Sequence, residues 1–185
     1  MKQPTPRPLQ RLSRLSAVLL FLSASVGWAQ GTLVHETVHS SALEHTLTEE
    51  SPERAVTIYL PPSYDSSADT RYPVVYLLHG VGDSDAIWTE SADPYSTIQS
   101  VMDEGIAEGR FGELIIVMPD ERRAVGGGSY YVNSAVTGNW EDFTTQELVA
   151  FVDTNYRTIA RASSRGLADH SMGGYGALTL AMKHS

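Results

Sequence analysis

Two nearly unbroken apolar runs, residues 72–78 (Tyr-Pro-Val-Val-Tyr-Leu-Leu) and residues 112–119 (Gly-Glu-Leu-Ile-Ile-Val-Met-Pro), constrain this chain more than any other feature. A strand with one wet face alternates polar and apolar residues. A strand that does not alternate must be covered on both faces, as in a parallel sheet between helix layers. The second run ends at Pro119, which cannot donate to a ladder. Between the runs the periodicity predicts a helix over residues 95–108, with Ile98, Val101, Met102 and Ile106 on one face. A second helix is marked by the capping-box spacing of Thr144-Thr145-Gln146-Glu147, followed by Leu148, Phe151, Val152 and Tyr156 at helical intervals and an end near Arg157. A short strand at 165–168, a glycine-rich turn and a mostly apolar helix from Gly174 onward complete the pattern.

Upstream, residues 33–40 and 54–60 alternate with period two and predict an antiparallel opening pair, and turn formers at 61–69 separate them from the first apolar run. The order of elements predicts an α/β fold with a mostly parallel sheet and antiparallel N-terminal strands. No internal repeat or low-complexity linker divides residues 30–185, which are expected to form one domain.

The N-terminus carries Lys2, Arg7, Arg11 and Arg14 ahead of an apolar run at 15–26, then Gly27-Trp28-Ala29 with small residues where a signal peptidase reads. The run is shorter than the roughly 20 residues of a membrane-spanning helix, so residues 1–29 are expected to be a signal peptide cleaved after Ala29. The alternative, an uncleaved membrane anchor, lacks a following stop-transfer pattern. Cleavage would leave 9 Lys+Arg against 22 Asp+Glu, a formal charge of −13, which argues against nucleic acid as a partner. The expected location is secreted or periplasmic, with no stable membrane insertion after cleavage. The sequence has no cysteine, hence no lipobox and no disulfide, and outside the cytoplasm its stability must come from packing alone.

The strongest chemical signal is Asp169-His170-Ser171-Met172-Gly173-Gly174, set between a predicted strand and a predicted helix in the manner of a nucleophile elbow. A serine attacks a carbonyl only if it stands on a sharp, exposed turn with small neighbours, and Gly173 meets that need. Asp169 stands where the elbow pattern wants glycine, and its branched carboxylate is expected to crowd the turn. The backbone N–H of Met172, on a helix N-terminus, and that of Val81, in the glycine-bearing loop His79-Gly80-Val81-Gly82-Asp83 after an inner strand, are the expected oxyanion-hole donors.

His79-Gly80, Met118-Pro119-Asp120, Tyr131-Val132-Asn133-Ser134, Gly138-Asn139-Trp140-Glu141-Asp142-Phe143 and His170-Ser171-Met172-Gly173-Gly174 occur in this order. Together they resemble the esterase family of α/β-hydrolases that includes esterase D, feruloyl esterases and mycolyltransferases, over residues 33–185. The resemblance implies the α/β-hydrolase fold, Ser171 as nucleophile, Val81 and Met172 amides as the oxyanion hole, and no metal or organic cofactor. It implies a small-molecule or carbohydrate-linked ester as substrate.

In this fold the triad acid and histidine follow the serine well downstream. Fourteen residues follow Ser171, so the C-terminal part of the fold, with both partners, is expected to be lacking, and the fragment is expected to be inactive and poorly soluble. His184, thirteen positions along a helix, falls roughly 20 Å away and is not the base. His170 points elsewhere at a sharp turn, and His79 is expected to brace its loop. Acyl transfer to a sugar or other alcohol, and a non-catalytic binding relative of the fold, remain open beside ester hydrolysis. Residues 122–134 form either a binding-site lining or a plain surface loop. Trp88, Trp140 and Phe143 are expected to pack, Asp120 to hold a turn, and His35, His39 and His45 to lie at the surface rather than at a metal.

Overall fold

The computed structural model describes residues 29–92 and 96–184, so the expected leader lies, apart from Ala29, outside the described residues. Strands β1 (Thr32–His39) and β2 (Glu53–Leu60) pair antiparallel along their whole length, from Thr32 with Leu60 to His39 with Glu53. The two apolar runs become β3 (Val74–Leu78) and β4 (Ile115–Pro119), and β7 (Arg165–Asp169) closes the row. Between β4 and β7, β5 (Asn133–Ser134) and β6 (Gly138–Asn139) form a separate small hairpin.

The sheet order is β1-β2-β4-β3-β7, with β3 parallel to both β4 and β7 and only β2 opposing the common direction. The chain thus leaves β3 for a neighbour on one side and returns to pair with it on the other. The carboxyl ends of strands at such a reversal open a crevice where α/β proteins place their sites. β3 delivers His79 there, β4 delivers Asp120, and β7 delivers His170 and Ser171.

Both faces of the central strands are covered, which is why β3 and β4 do not alternate. On one face Ile58, Val74, Tyr76, Leu78, Ile115 and Val117 pack against Trp140, Phe143, Leu148, Val152, Met172 and Leu180. On the other, Tyr59, Leu77, Ile116 and Met118 meet Met102, with Trp88, Ile98 and Ile106 partly buried beside them. Each fully buried aliphatic side chain contributes roughly 1.5–3 kcal/mol of transfer free energy, so the sheet interior dominates what holds this fold together.

The helices depart from their sequence signals in instructive ways. Helix α1 spans Ile98–Ala107, not 95–108, because Thr97 caps it by accepting the Ser100 N–H at 3.2 Å. Val101 faces solvent, while Met102 packs on the sheet and Gly105 is covered by the Phe111 ring. The second helical stretch starts four residues before the expected capping box, as α2 (Trp140–Asp142), then a π-helical turn (Phe143–Glu147), then α3 (Leu148–Asn155). Its early start is served by Asn133 Oδ1, which accepts the Asp142 N–H at 3.1 Å, so Thr144 caps nothing. The last helix, α4 (Met172–Lys183), begins directly after Ser171.

Candidate active site

Ser171 stands between β7 and α4 with φ 55° and ψ −111°, a backbone conformation costing a non-glycine residue on the order of 1–3 kcal/mol. The surrounding contacts enforce it. His170 N–H donates to the Leu78 carbonyl at 3.0 Å, Gly173 N–H to His170 at 2.9 Å and Gly174 N–H to Ser171 at 3.0 Å, and α4 crosses hard against the end of β3. A β-carbon on Gly173 would lie 2.1 Å from the Leu78 oxygen. Asp169 does not prevent the turn. Its carboxylate lies along the first turn of α4, where a β-carbon on Gly174 would come within 3.0 Å of Oδ1. The room that the elbow pattern places at 169 is supplied here by the glycine at 174.

Met172 opens α4, so its N–H is one of the four a helix leaves without an internal acceptor, at the positive end of the helix dipole. Val81 lies in a turn closed by Asp83 N–H to the Gly80 carbonyl (3.3 Å), with Gly82 at φ 83° supplying the left-handed residue. Two glycines let the segments meet. A β-carbon on Gly80 would stand 3.2 Å from Ser171 Cβ, and one on Gly128 would stand 2.0 Å from Met172 Sδ and 3.6 Å from Val81 Cγ2. The structure therefore brings Ser171, Val81 and Met172 to one place, and Gly128, from the segment 122–134, packs against the last two.

His79 is completely buried. Its Nε2 accepts the Glu121 N–H at 2.8 Å, leaving Nδ1 to carry the proton and donate to the Gly80 carbonyl at 2.7 Å. Burial pushes its pKa below the ordinary imidazole value, which keeps it neutral. Its carbonyl accepts from the Tyr131 hydroxyl at 3.0 Å. Asp120 caps a turn to Arg122 N (2.9 Å). Burial pushes its carboxyl up, but the hydrogen bonds from Arg122 and the cations Arg54 and Arg122 outweigh this and hold it below the usual range.

Glu121, which no sequence signal singled out, is wholly buried and accepts from Ser129 Oγ at 2.9 Å, with Thr144 Oγ1 on its other oxygen. Burial pushes its pKa up to about 7 against the opposing pull of those hydroxyls and of Arg54.

Among the described residues none hydrogen-bonds to the Ser171 hydroxyl. His170 Nδ1 lies 4.0 Å from Asp83 Oδ2, and His184 pairs with Glu141 at 2.8 Å. His35, His39 and His45 are exposed, and no cluster of metal-ligating side chains occurs among the described residues. Trp140 and Phe143 are core residues and Trp88 packs partly buried. A cleft of about 870 Å³ runs beside the elbow, along β7, α3 and α4, lined by Tyr76, Val149, Leu167, Asp169, Leu178 and His184. It does not reach the Ser171 side chain.

A serine on a strained strand-turn-helix elbow, at the carboxyl edge of a mostly parallel sheet covered by helices, defines an α/β-hydrolase. The model of the family described as "Putative esterase" matches residues 48–185, and the chain belongs to that family. An esterase of Mycobacterium tuberculosis strain H37Rv is 37% identical over 133 residues, covering 70% of this chain and 26% of that protein. An endo-1,4-beta-xylanase/feruloyl esterase of Xylanibacter ruminicola is 29% identical over 145 residues, 74% of this chain and 19% of that protein. Among solved structures, a ferulic acid esterase superposes with a TM-score of 0.72 at 30% identity, over 84% of this chain and 54% of that one. An Anaeromyces mucronatus ferulic acid esterase, solved in complex with ferulic acid, shares the fold with a TM-score of 0.66 at 24% identity, over 84% and 54%. The chain thus spans about a quarter or less of its curated relatives and about half of these solved chains. No helix among the described residues is long and apolar enough to cross a membrane.

Proposed function

We propose that this chain carries the nucleophile and oxyanion hole of an exported serine carboxylic-ester hydrolase. The observation that carries the proposal is Ser171 at φ 55° on the elbow, beside the N-terminus of α4 and the Gly80-Val81 turn. Ser171 Oγ attacks the ester carbonyl carbon, and the carbonyl oxygen takes the electron pair and is held by the Val81 and Met172 amides. The Oγ proton passes to a base and then to the departing alcohol. Water then adds to the acyl-serine and releases the acid. The basic, then apolar N-terminus supports export. A small-molecule or carbohydrate-linked ester fits the feruloyl and ferulic acid esterase activities named for two of the similar proteins.

With no base on its hydroxyl among the described residues, Ser171 is an unactivated alcohol, and the chain freed of residues 1–29 is expected to turn over little ester by itself. The test supplies the base from solution. In saturating imidazole, 4-nitrophenyl acetate should acylate Ser171, seen as one acetyl group by mass spectrometry and absent from Ser171→Ala. Acylation elsewhere, or none, would sink the nucleophile assignment. Turnover sensitive to Ser171→Ala without imidazole would sink the claim of a missing base. Saturable binding of a ferulate ester without acylation would favour a binding protein. A sugar ester formed on adding a sugar acceptor would favour acyl transfer.

A further inference from the structure

Glu121 is a buried carboxyl that ester hydrolysis at Ser171 does not use, and the proton count around it is informative. Thr144 Oγ1 contacts both Glu121 Oε1 and the Trp140 carbonyl (2.9 Å) but has one hydrogen. Each contact has a hydrogen of its own only if the Glu121 carboxyl supplies the second, donating to Thr144 while Thr144 donates to Trp140; otherwise the two acceptors share one hydrogen. The other oxygen, Oε2, then accepts from Ser129 Oγ, which in turn accepts the Tyr131 N–H at 3.0 Å. No ion pair to Glu121 occurs among the described residues, and the Arg54 guanidinium is committed to the carbonyls of Asp120 and Arg122.

Two routes lead from Glu121 to the oxyanion loop. Its own N–H fixes His79 Nε2, and through Ser129 it holds Tyr131, whose hydroxyl fixes the His79 carbonyl. His79 Nδ1–H then holds the Gly80 oxygen. In a trans peptide the carbonyl oxygen and the following N–H point in opposite directions. Whatever fixes the Gly80 oxygen therefore aims the Val81 N–H.

We propose that Glu121, in its protonated form, is a positioning residue for the oxyanion loop, acting through Ser129, Tyr131 and His79 on the direction of the Val81 amide. The proposal rests on the assignment of Val81 as an oxyanion donor. Ionising Glu121 places a negative charge where Thr144 and Ser129 are its side-chain hydrogen-bond donors, and draws the Thr144 hydrogen away from Trp140. The charged or titratable groups facing it are Arg54 from β2, Asp120 just after β4, and His79 and Tyr131 from the adjoining loops. Arg54 opposes the ionisation penalty and Asp120 adds to it.

The test compares wild type with Glu121→Gln, which has the hydrogen-bonding shape of the protonated acid, and Glu121→Ala, both at low micromolar concentration. In imidazole-assisted acetylation of Ser171, the ratio of the Gln variant to wild type should be near one at pH 6 and rise several-fold through pH 7. The base, common to both, cancels in the ratio. Glu121→Ala should be slower at least tenfold throughout while retaining the circular dichroism of the fold. A flat ratio, or a Gln variant as slow as the Ala variant, overturns the proposal. Failure of wild type to be acetylated would instead strike the Ser171 reading, and the ¹⁵N signals of the His79 ring then decide separately. They should report Nδ1 protonated in the Gln variant at every pH and shift in wild type through pH 7. Signals unchanged in wild type overturn the proposal.

Discussion

Gly173 lies against the carbonyl of Leu78 so closely that a β-carbon would stand 2.1 Å from that oxygen and 2.7 Å from its carbon. Both atoms belong to backbone fixed in the sheet by the Leu78 pairing with Asp169. The clash cannot be absorbed by a rotamer change. Gly173→Ala must push α4 off β3, and overpacking of this kind costs about 1–3 kcal/mol or more. Chemical denaturation should show that loss, together with abolished Ser171 acylation. An alanine variant of wild-type stability would mean that α4 does not sit where the elbow requires it.

The stability of the chain should carry the titration of Glu121. Its folded pKa of about 7 lies above its ordinary value of 4.5, so between these values the folded chain keeps a proton that the unfolded chain releases. Stability therefore falls as pH rises through this window, by on the order of 3 kcal/mol in all. His79 and Asp120, both lowered, act in the opposite sense, losing stability as pH falls. The difference between Glu121→Gln and wild type isolates the first effect and should widen from pH 4.5 to 8. A difference independent of pH would show that folding leaves the Glu121 pKa unshifted.

Helix α4 presents Tyr175, Leu178 and Met182 to solvent at 53%, 65% and 76% exposure. Their spacing of three and four puts them on one stripe beside the cleft along β7. Apolar stripes of this kind drive association, so self-association should increase with concentration and be relieved by Leu178→Lys with Met182→Glu. Equal sedimentation of wild type and the double variant over a hundredfold concentration range would count against it.

The sheet was largely legible because covering on both faces leaves an unmistakable apolar run, as in β3 and β4, and half-covering leaves alternation, as in β1; β2 reads as alternating yet is buried from Val56 to Leu60, with Ile58 on one face and Tyr59 on the other. The elbow was legible because the turn demands glycine at a fixed spacing. Thr144 misled because a hydroxyl three residues before a glutamate has the spacing of a cap whether or not a helix begins there. Tertiary contacts from Asn133 moved the start upstream and left Thr144 to face Glu121. Glu121 itself was illegible, since a charged residue after a strand reads as a surface turn. Only the convergence of Ser129, Thr144 and His79, far apart in sequence, buries it. The crowding expected of Asp169 is accommodated by a residue five positions away, since Gly174 has no β-carbon to meet its carboxylate.

The backbone of Ser171 has a thermodynamic corollary for how such a chain drifts. At φ 55° and ψ −111° glycine would relax the strain that serine bears, so Ser171→Gly is expected to melt higher than wild type while losing the acyl-accepting hydroxyl. Abandoning the chemistry would thus make the fold more robust, and no stability requirement defends the hydroxyl. A serine at this codon is a standing expense that only its reactivity can justify.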